Sequence, residues 1–451
     1  MKIDLGLQTD SALAYIKLEG LQAYKNRKRD YADEVKRLKK VKEMEPDDKG
    51  RVGVGFDPAA VLNVSPFPPA PNRSGAVATL IERLKEEQKR RPVALAYPRD
   101  GSWWLESWFD DEAGIYSLGS KTSLVDLIAQ AARLAGTDFV HIESLLGLPV
   151  NLPSELEKAG ISVIVTITDF ALFCRRPHLI DTITGRFCEY CRDVKKCSVC
   201  LKDMDPEGRY PQNDYRRISA ASVRSASALV FPSAFIQRQH EEFFPDRRED
   251  QKVAVIAPAT KRPEVFTDRS VLRPNIAFIG GIVPHKGGRL IPPVMERVRS
   301  REKKAVGYIY GSGDGELIDQ IKRAKGVKIR GYYSHGTLPE LLVQDKISVA
   351  VMPSITPEAY SMVIDETLST GTPVVAFDHG AVADRLEFWS VGELIPPERG
   401  ANGLAEAVLD SLSGRKIGTD VIRTLPSLDR VAQKYIDLYS SIKNRRRRSG
   451  E

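Results

Sequence analysis

Long apolar runs are absent from this 451-residue chain. None approaches the ~20 residues needed to cross a bilayer, so a transmembrane protein is not expected. The opening MKIDLGLQTD lacks the basic-then-apolar layout of a secretory signal. Cysteine is scarce, five in all, and every one falls between Cys174 and Cys200. That leaves no disulfide framework for the rest of the chain, and the composition is that of a cytoplasmic protein. No residue type dominates, which excludes collagen-like, coiled-coil and wholly disordered chains. What remains is an ordinary mixture, 42% hydrophobic and 28% charged, in a chain too long for one core.

The net charge is +7, which invites a nucleic-acid or anionic-membrane partner. Its location argues otherwise. Residues 1–50 hold twelve Lys/Arg against ten Asp/Glu, and residues 443–451 (KNRRRRSGE) hold five against one. Residues 51–442 are left with a surplus of about one, from a total of +7. No nucleic-acid partner is expected from a nearly neutral body without interleaved aromatic and basic residues.

Residues 1–50 are densely charged and helix-permissive between Lys25 and Lys49, and read as a charged helical extension. From residue 51 a rhythm of short β-branched runs and helical segments sets in. The runs are 60–65, 92–98, 139–144, 162–168, 228–233 and 253–259, then 275–281, 306–311, 327–332, 347–354, 373–378 and 392–397. Strands apolar on both faces, alternating with helices, imply parallel sheets covered on both sides. A polar, Pro-containing seam near 260–272 divides them into two doubly wound Rossmann-like α/β domains, spanning 51–262 and 263–426. Ligands of such sheets bind at the carboxyl ends of the strands.

Three strand-to-helix turns of the second domain carry the chemistry. In Gly280-Gly281-Ile282-Val283-Pro284-His285-Lys286 the glycines let backbone amides approach an anion, and Lys286 is a point charge suited to phosphate. Gly311-Ser312-Gly313-Asp314 is a second tight turn, equally well read as a helix cap. The third runs from Pro353 through Glu358, Tyr360, Ser361, Met362, Val363 and Glu366 to Gly371-Thr372-Pro373. It places Glu358 on a loop and Glu366 in the following helix, so the two carboxylates can touch different parts of one extended ligand. A nucleotide sugar offers ribose hydroxyls, a diphosphate and sugar hydroxyls in that order.

The Glu-x7-Glu segment with Gly371-Thr372-Pro373-Val374-Val375 behind it resembles the signature of family 4 glycosyltransferases of the GT-B fold. The likeness extends over roughly residues 58–442. It implies two Rossmann-like domains facing across a cleft, and transfer of a sugar from a nucleotide-diphosphate donor to an acceptor hydroxyl with retention of configuration. No metal or other cofactor would be required for catalysis. By this resemblance Glu358 contacts the donor sugar and Glu366 the ribose, while Lys286 meets the diphosphate. The amides of Tyr360, Ser361, Met362 and Val363 add phosphate contacts, with Gly280, Gly281 and Ser312 lining the donor site and Arg330 beside the base. The segment from Asn63 through Asn72 to Gly75 resembles the family's opening strand and acceptor-side loop. Gly160–Cys174 resembles the strand ending beside the reacting sugar, which puts Thr168 and Asp169 on the acceptor side. The stretch 427–442 resembles the helix that crosses back onto the first domain. Two positions depart from the pattern: Gly281 where relatives carry arginine, and Thr168 where they carry histidine.

The cysteines are spaced C-x13-C-x2-C-x5-C-x2-C: Cys174, Cys188, Cys191, Cys197 and Cys200. Two close CxxC pairs can wrap a structural zinc, with Cys174 or Cys191 to spare. An iron–sulfur cluster and free thiols are the alternatives. The reading as a whole is a glycosyltransferase acting on a glycan or lipid-linked saccharide in surface polysaccharide or glycoconjugate assembly. A small-molecule acceptor, or a non-catalytic nucleotide-sugar-binding protein of the same fold, are the other readings. The basic tail 443–451 would hold a cytoplasmic enzyme against the anionic inner face of the membrane.

Overall fold

Central strands buried on both faces must be covered on both sides, and this chain builds two sheets of that kind. The computed structural model describes residues 42–45, 61–69, 75–110, 112–120, 123–260, 273–413 and 424–449, with Lys25, Asn26, Arg29, Ala32 and Lys36; side chains beyond residue 443 are not described. Two compact units result: an amino-side unit of Glu34–Ala259 with Pro426–Glu451, and a carboxyl-side unit of Met1–Asp33 with Thr260–Leu425. The seam at 261–272 lies outside the described residues. Both units are α/β, each with a parallel sheet at its centre. No helix among the described residues is long and apolar enough to cross a membrane.

The amino-side sheet holds β1 (Lys42–Glu43), β2 (Leu62–Val64), β3 (Val93–Arg99), β4 (Ser102–Phe109), β5 (Glu112–Gly119), β6 (Phe139–Ile142), β7 (Ser162–Thr166), β8 (Ala228–Phe231) and β9 (Lys252–Val255). Their order is β1-β5-β4-β3-β2-β6-β7-β8-β9. The sheet is not purely parallel, as the strand rhythm suggested, because β3, β4 and β5 form an antiparallel meander. Its first turn is Asp100-Gly101, both with positive φ (50° and 74°), the two-residue loop whose twist matches paired strands. The amino-terminal extension also differs from the expected continuous helix. Lys25, Asn26, Arg29, Ala32 and Lys36 are helical, but Lys42–Glu43 adds to the edge of the sheet beside β5. Arg29 donates to Ser334 Oγ at 2.8 Å, so part of the extension is attached to the carboxyl-side unit.

The helix Leu428–Ser449 closes the amino-side core. Val431, Tyr435, Tyr439 and Ile442 recur on one face and pack with Val61, Phe139, Ile164 and Val230. The sequence reading stopped this helix at 442; its backbone continues through the Lys/Arg run. Arginine and lysine are good helix formers and suit the negative end of the helix dipole.

The carboxyl-side sheet is wholly parallel: β10 (Asn275–Ile279), β11 (Val306–Tyr310), β12 (Val327–Gly331), β13 (Val349–Met352), β14 (Val374–Phe377) and β15 (Glu393–Ile395). The order is β12-β11-β10-β13-β14-β15. Alternation along the strands feeds two cores. Ile276, Phe278, Val349 and Val351 face one side, and Ala277, Ile279, Ala350 and Met352 the other. The strand order reverses between β10 and β13, which opens a crevice at their carboxyl ends.

Candidate functional site

Backbone crowding builds the crevice floor. After β10, Gly280 (φ 120°) donates its N–H to Tyr310 O at 2.9 Å, and Ile282 donates to Ser312 O at 3.0 Å. The two glycine-rich turns are therefore zipped together, and a Cβ on Gly311 would fall 1.9 Å from Gly280 O. The next turn, Pro284–Lys286, ends at Gly287, whose φ of 73° and missing Cβ let it press on Pro353 O. Ile355 N–H in turn donates to His285 O at 3.0 Å. The loop after β10 is thus held against the loop after β13, and this brings Lys286 to Glu358.

Lys286 Nζ lies 2.7 Å from both carboxylate oxygens of Glu358. Burial works to raise the Glu358 pKa, but the Lys286 charge and hydrogen bonds from Lys286 and Ser354 outweigh it. The carboxyl is held below its usual range and is ionised at neutral pH. The pair lines a pocket with Gly280, Ser354, Ser361 and His379. Ser361, immediately before the helix Met362–Ser369, has φ 67°. A serine held in the left-handed region is strained, a cost of ~1–3 kcal/mol that the packing around it must sustain. His379 follows β14, and burial lowers its pKa. As a neutral ring its Nε2–H donates to Ser354 O at 2.8 Å, which leaves Nδ1 as an acceptor.

A second charged pair, its carboxylate fully buried and its guanidinium mostly so, supports the pocket-lining loop. Arg385 is ion-paired with Asp365, lies 4.1 Å from the centre of the Tyr360 ring, and donates to Tyr360 O at 2.8 Å. Asp365 Oδ2 also accepts from Tyr360 Oη at 2.6 Å and Thr260 Oγ1 at 3.1 Å. This network fixes the path of the chain through Tyr360 and Ser361, and so the entrance of the helix.

Of the residues singled out from the sequence, Gly280, Lys286, Glu358, Ser361 and Val363 line this pocket. Gly281 and Ser312 lie in the zipped turns beside it, and Met362 opens the helix. Tyr360 is buried with its hydroxyl committed to Asp365. Glu366 is also buried, near the hydroxyl of Tyr333. Arg330 on β12 is paired with Asp345, 2.7 Å from Nε to Oδ2, and lies 5.4 Å from the Tyr308 ring centre. Sequence reasoning missed Ser354, Asp365, His379 and Arg385. Only His379 had a local signal, Asp378-His379-Gly380 at the end of a buried strand.

The amino-side residues sit at strand ends of their own sheet. Asp169, after β7, accepts from Ala171 N at 2.7 Å, Thr168 Oγ1 at 3.2 Å and Ser144 Oγ at 3.4 Å. Burial raises its pKa against those hydrogen bonds. Gly75 begins the helix Gly75–Glu87, and Asn72 lies outside the described residues. The five cysteines are free thiols around one cavity. Among the described residues no three His, Cys, Asp or Glu side chains stand ready as a metal-ligand set.

With this geometry in view, residues 273–413 match the family model described as glycosyl transferases, group 1. The match lies wholly within the carboxyl-side unit. No curated protein matches the chain in sequence. Among solved structures, HepE of Anabaena in complex with UDP and glucose is similar, with 15% identity, a TM-score of 0.58, 85% of this chain and 100% of that chain covered. Sucrose-phosphate synthase of Thermosynechococcus elongatus gives 14%, 0.59, 85% and 99%. A glycosyltransferase of Rickettsia africae gives 17%, 0.56, 86% and 99%. At these identities the likeness shows the fold, which is GT-B.

Proposed function

We propose that the chain is a retaining glycosyltransferase that moves a sugar from a nucleotide-diphosphate donor to a glycan or lipid-linked saccharide. The observation that carries this reading is the Lys286–Glu358 pair, set in a pocket where β10 and β13 diverge, inside the matched glycosyl transferase domain. Similar structures hold UDP, with or without glucose, which favours a uridine donor.

Each part of the pocket has a chemical use. A diphosphate competes with Glu358 for Lys286, because an ammonium attracts the more highly charged anion more strongly. Glu358, released from that pair, accepts hydrogen bonds from the donor sugar's hydroxyls. Negative charge grows on the leaving phosphate as the glycosidic bond breaks, and Lys286 with the amides near Ser361 stabilises it there. The leaving phosphate oxygen takes the proton of the incoming hydroxyl, so attack and departure share one face and configuration is retained. Glu366 reaches the ribose and Arg330 the base only if ligand binding rearranges their present packing. Asp169 orients the acceptor. No metal or other cofactor takes part in these steps. A lipid-linked acceptor gives the basic run at the end of the helix Leu428–Ser449 a use, since each Lys/Arg adds ~1 kcal/mol at an anionic leaflet.

A panel of nucleotide sugars tests the reading. Slow hydrolysis or transfer with at least one donor is expected, and NMR of the product should show the donor's anomeric configuration. Binding without any turnover across the panel and a range of saccharide acceptors would favour a nucleotide-sugar-binding protein instead.

A further inference from the structure

His379 lines the donor pocket, yet none of the steps derived above gives it a task. It sits just before the helix Gly380–Trp389, where Ser, Thr, Asp or Asn would cap the first turn. Its side chain makes no such capping bond. The imidazole turns back across the pocket wall instead, and Nε2–H donates to Ser354 O at 2.8 Å. Helix capping therefore does not account for a histidine at this position.

The loop that carries the ring is fixed against the loop that carries Glu358. Gly380, at φ 74°, packs so closely that a Cβ on it would fall 2.8 Å from Glu358 N. Ala381 N–H donates to Glu358 O at 3.0 Å, and His379 N–H to Phe377 O at 2.9 Å. The Phe377 ring meets the imidazole edge to face, 6.2 Å between centres. His379, Glu358, Ser354 and Lys286 thus line one pocket from segments tied to each other by backbone contacts.

The state of the ring follows from its neighbours. Ser354 O can only accept, so the proton sits on Nε2 and Nδ1 carries a lone pair. Nδ1 has no hydrogen-bond partner among the described residues, and it is not sealed inside the protein either. An accessible acceptor in a pocket wall is matched by a ligand group that donates. A diphosphate has no proton to offer at neutral pH, whereas a sugar hydroxyl does.

We propose that His379 determines specificity for the donor sugar, with Nδ1 accepting a hydrogen bond from one sugar hydroxyl while Glu358 accepts from others. This role rests on the nucleotide-sugar reading of the pocket and narrows it to sugars that keep a free hydroxyl opposite His379. A donor lacking that hydroxyl leaves Nδ1 facing a group that cannot bond it. A site built to pair with a hydroxyl rejects the analogue without one more strongly than an apolar wall would. A merely structural histidine, stapling two loops through Ser354 O, uses Nε2 alone and leaves the choice of sugar untouched.

The test is binding to the full-length chain, read by calorimetry. A panel of UDP-sugars comes first, followed by analogues of the tightest binder, each deoxygenated at one hydroxyl. At one position the missing hydroxyl should weaken binding about tenfold or more. In His379→Gln the amide can still donate to Ser354 O but offers no acceptor in place of Nδ1. That variant should bring the ratio at this position down to about one, with the ratios elsewhere and the melting temperature nearly unchanged. Equal binding of every analogue by the unmodified chain would overturn the proposal, as would a full set of ratios surviving in folded His379→Gln. If that variant does not fold, nitrogen NMR of the unmodified chain decides. The Nδ1 resonance of His379 should shift with the parent sugar and not with the critical analogue, and an identical response to both would overturn the role. Binding without turnover would sink the transferase reading and leave this role standing, whereas transfer with unaltered ratios in His379→Gln would sink this role alone. No binding by any member of the panel would overturn both.

Discussion

Two cation–carboxylate pairs occupy comparable places in the two units and behave oppositely. Lys286–Glu358 lies beyond β10 and β13, and Arg83–Glu143 lies beyond β6, in each case past the carboxyl ends of central strands. Arg83 is enclosed. It donates to Glu143, to Asn63 Oδ1 at 3.1 Å and to Tyr439 Oη at 2.9 Å, and it lies 4.0 Å from the Tyr435 ring centre. His141 completes the network, 2.7 Å from both Tyr439 Oη and Thr166 Oγ1. Burial wins at Glu143 and pushes its pKa up to about 7 in spite of Arg83. At Glu358 the lysine wins and the pKa falls. The difference lies in access. The Lys286 side chain keeps 38% of its exposure beside a pocket, while the Arg83 side chain keeps 4% and ties the carboxyl-terminal helix to the sheet. A pair that can be reached and exchanged suits a ligand; a pair with every donor committed suits a joint.

Substitution should separate the two roles. Arg83→Met leaves Glu143 and Tyr439 buried without their partner and should cost about 3–5 kcal/mol of unfolding free energy, read by denaturant titration. Turnover per folded molecule should change little. Lys286→Ala should do the reverse, lowering turnover about 10²–10³-fold while the melting temperature stays within about 3 °C. Equal losses of stability in both variants would erase the distinction.

A smaller effect concerns pH. His240 is enclosed by Phe173, Phe231 and Phe244, and burial lowers its pKa to about 3. The unfolded chain takes up this proton near pH 6.5, the folded chain only near 3, so stability falls as pH drops below about 6.5. Between pH 7 and 5 the loss from this one group is about 2 kcal/mol, and His240→Phe should remove it in melts followed across pH. Glu143 opposes it. Its raised pKa makes stability fall as pH rises from about 4.5 toward 7, so Glu143→Gln should steepen the acid loss. A separate effect, on membrane binding rather than on folding, is expected at the carboxyl terminus. Removing residues 443–451 should weaken binding to anionic vesicles by about 1 kcal/mol per basic residue, with no change in soluble-substrate turnover.

Much of this was legible in the sequence wherever the signal is local. Buried β-branched runs marked the parallel strands, and the glycine turns and Glu358 marked the pocket. The β3–β4–β5 meander was missed although Asp100-Gly101 announced its turn, because Trp103, Trp104 and Leu105 were not read as a strand. Asp365 and Arg385 could not be paired from sequence, since they meet only after two helices pack. Glu366 and Arg330 show the converse: each sits in the expected segment, but their partners are set by tertiary packing. The extension at Lys42–Glu43 reads as helix by composition and becomes a strand because β5 offers an unpaired edge.

The central claim is that Glu358 serves a ligand rather than the fold, and Glu358→Gln tests it most directly. The amide keeps the size and loses the charge. With a donor that the unmodified chain turns over, a fall of at least about tenfold in kcat is expected, from the loss of a charged hydrogen-bonding partner, at nearly unchanged melting temperature. Unchanged turnover in a folded Glu358→Gln protein would contradict the account.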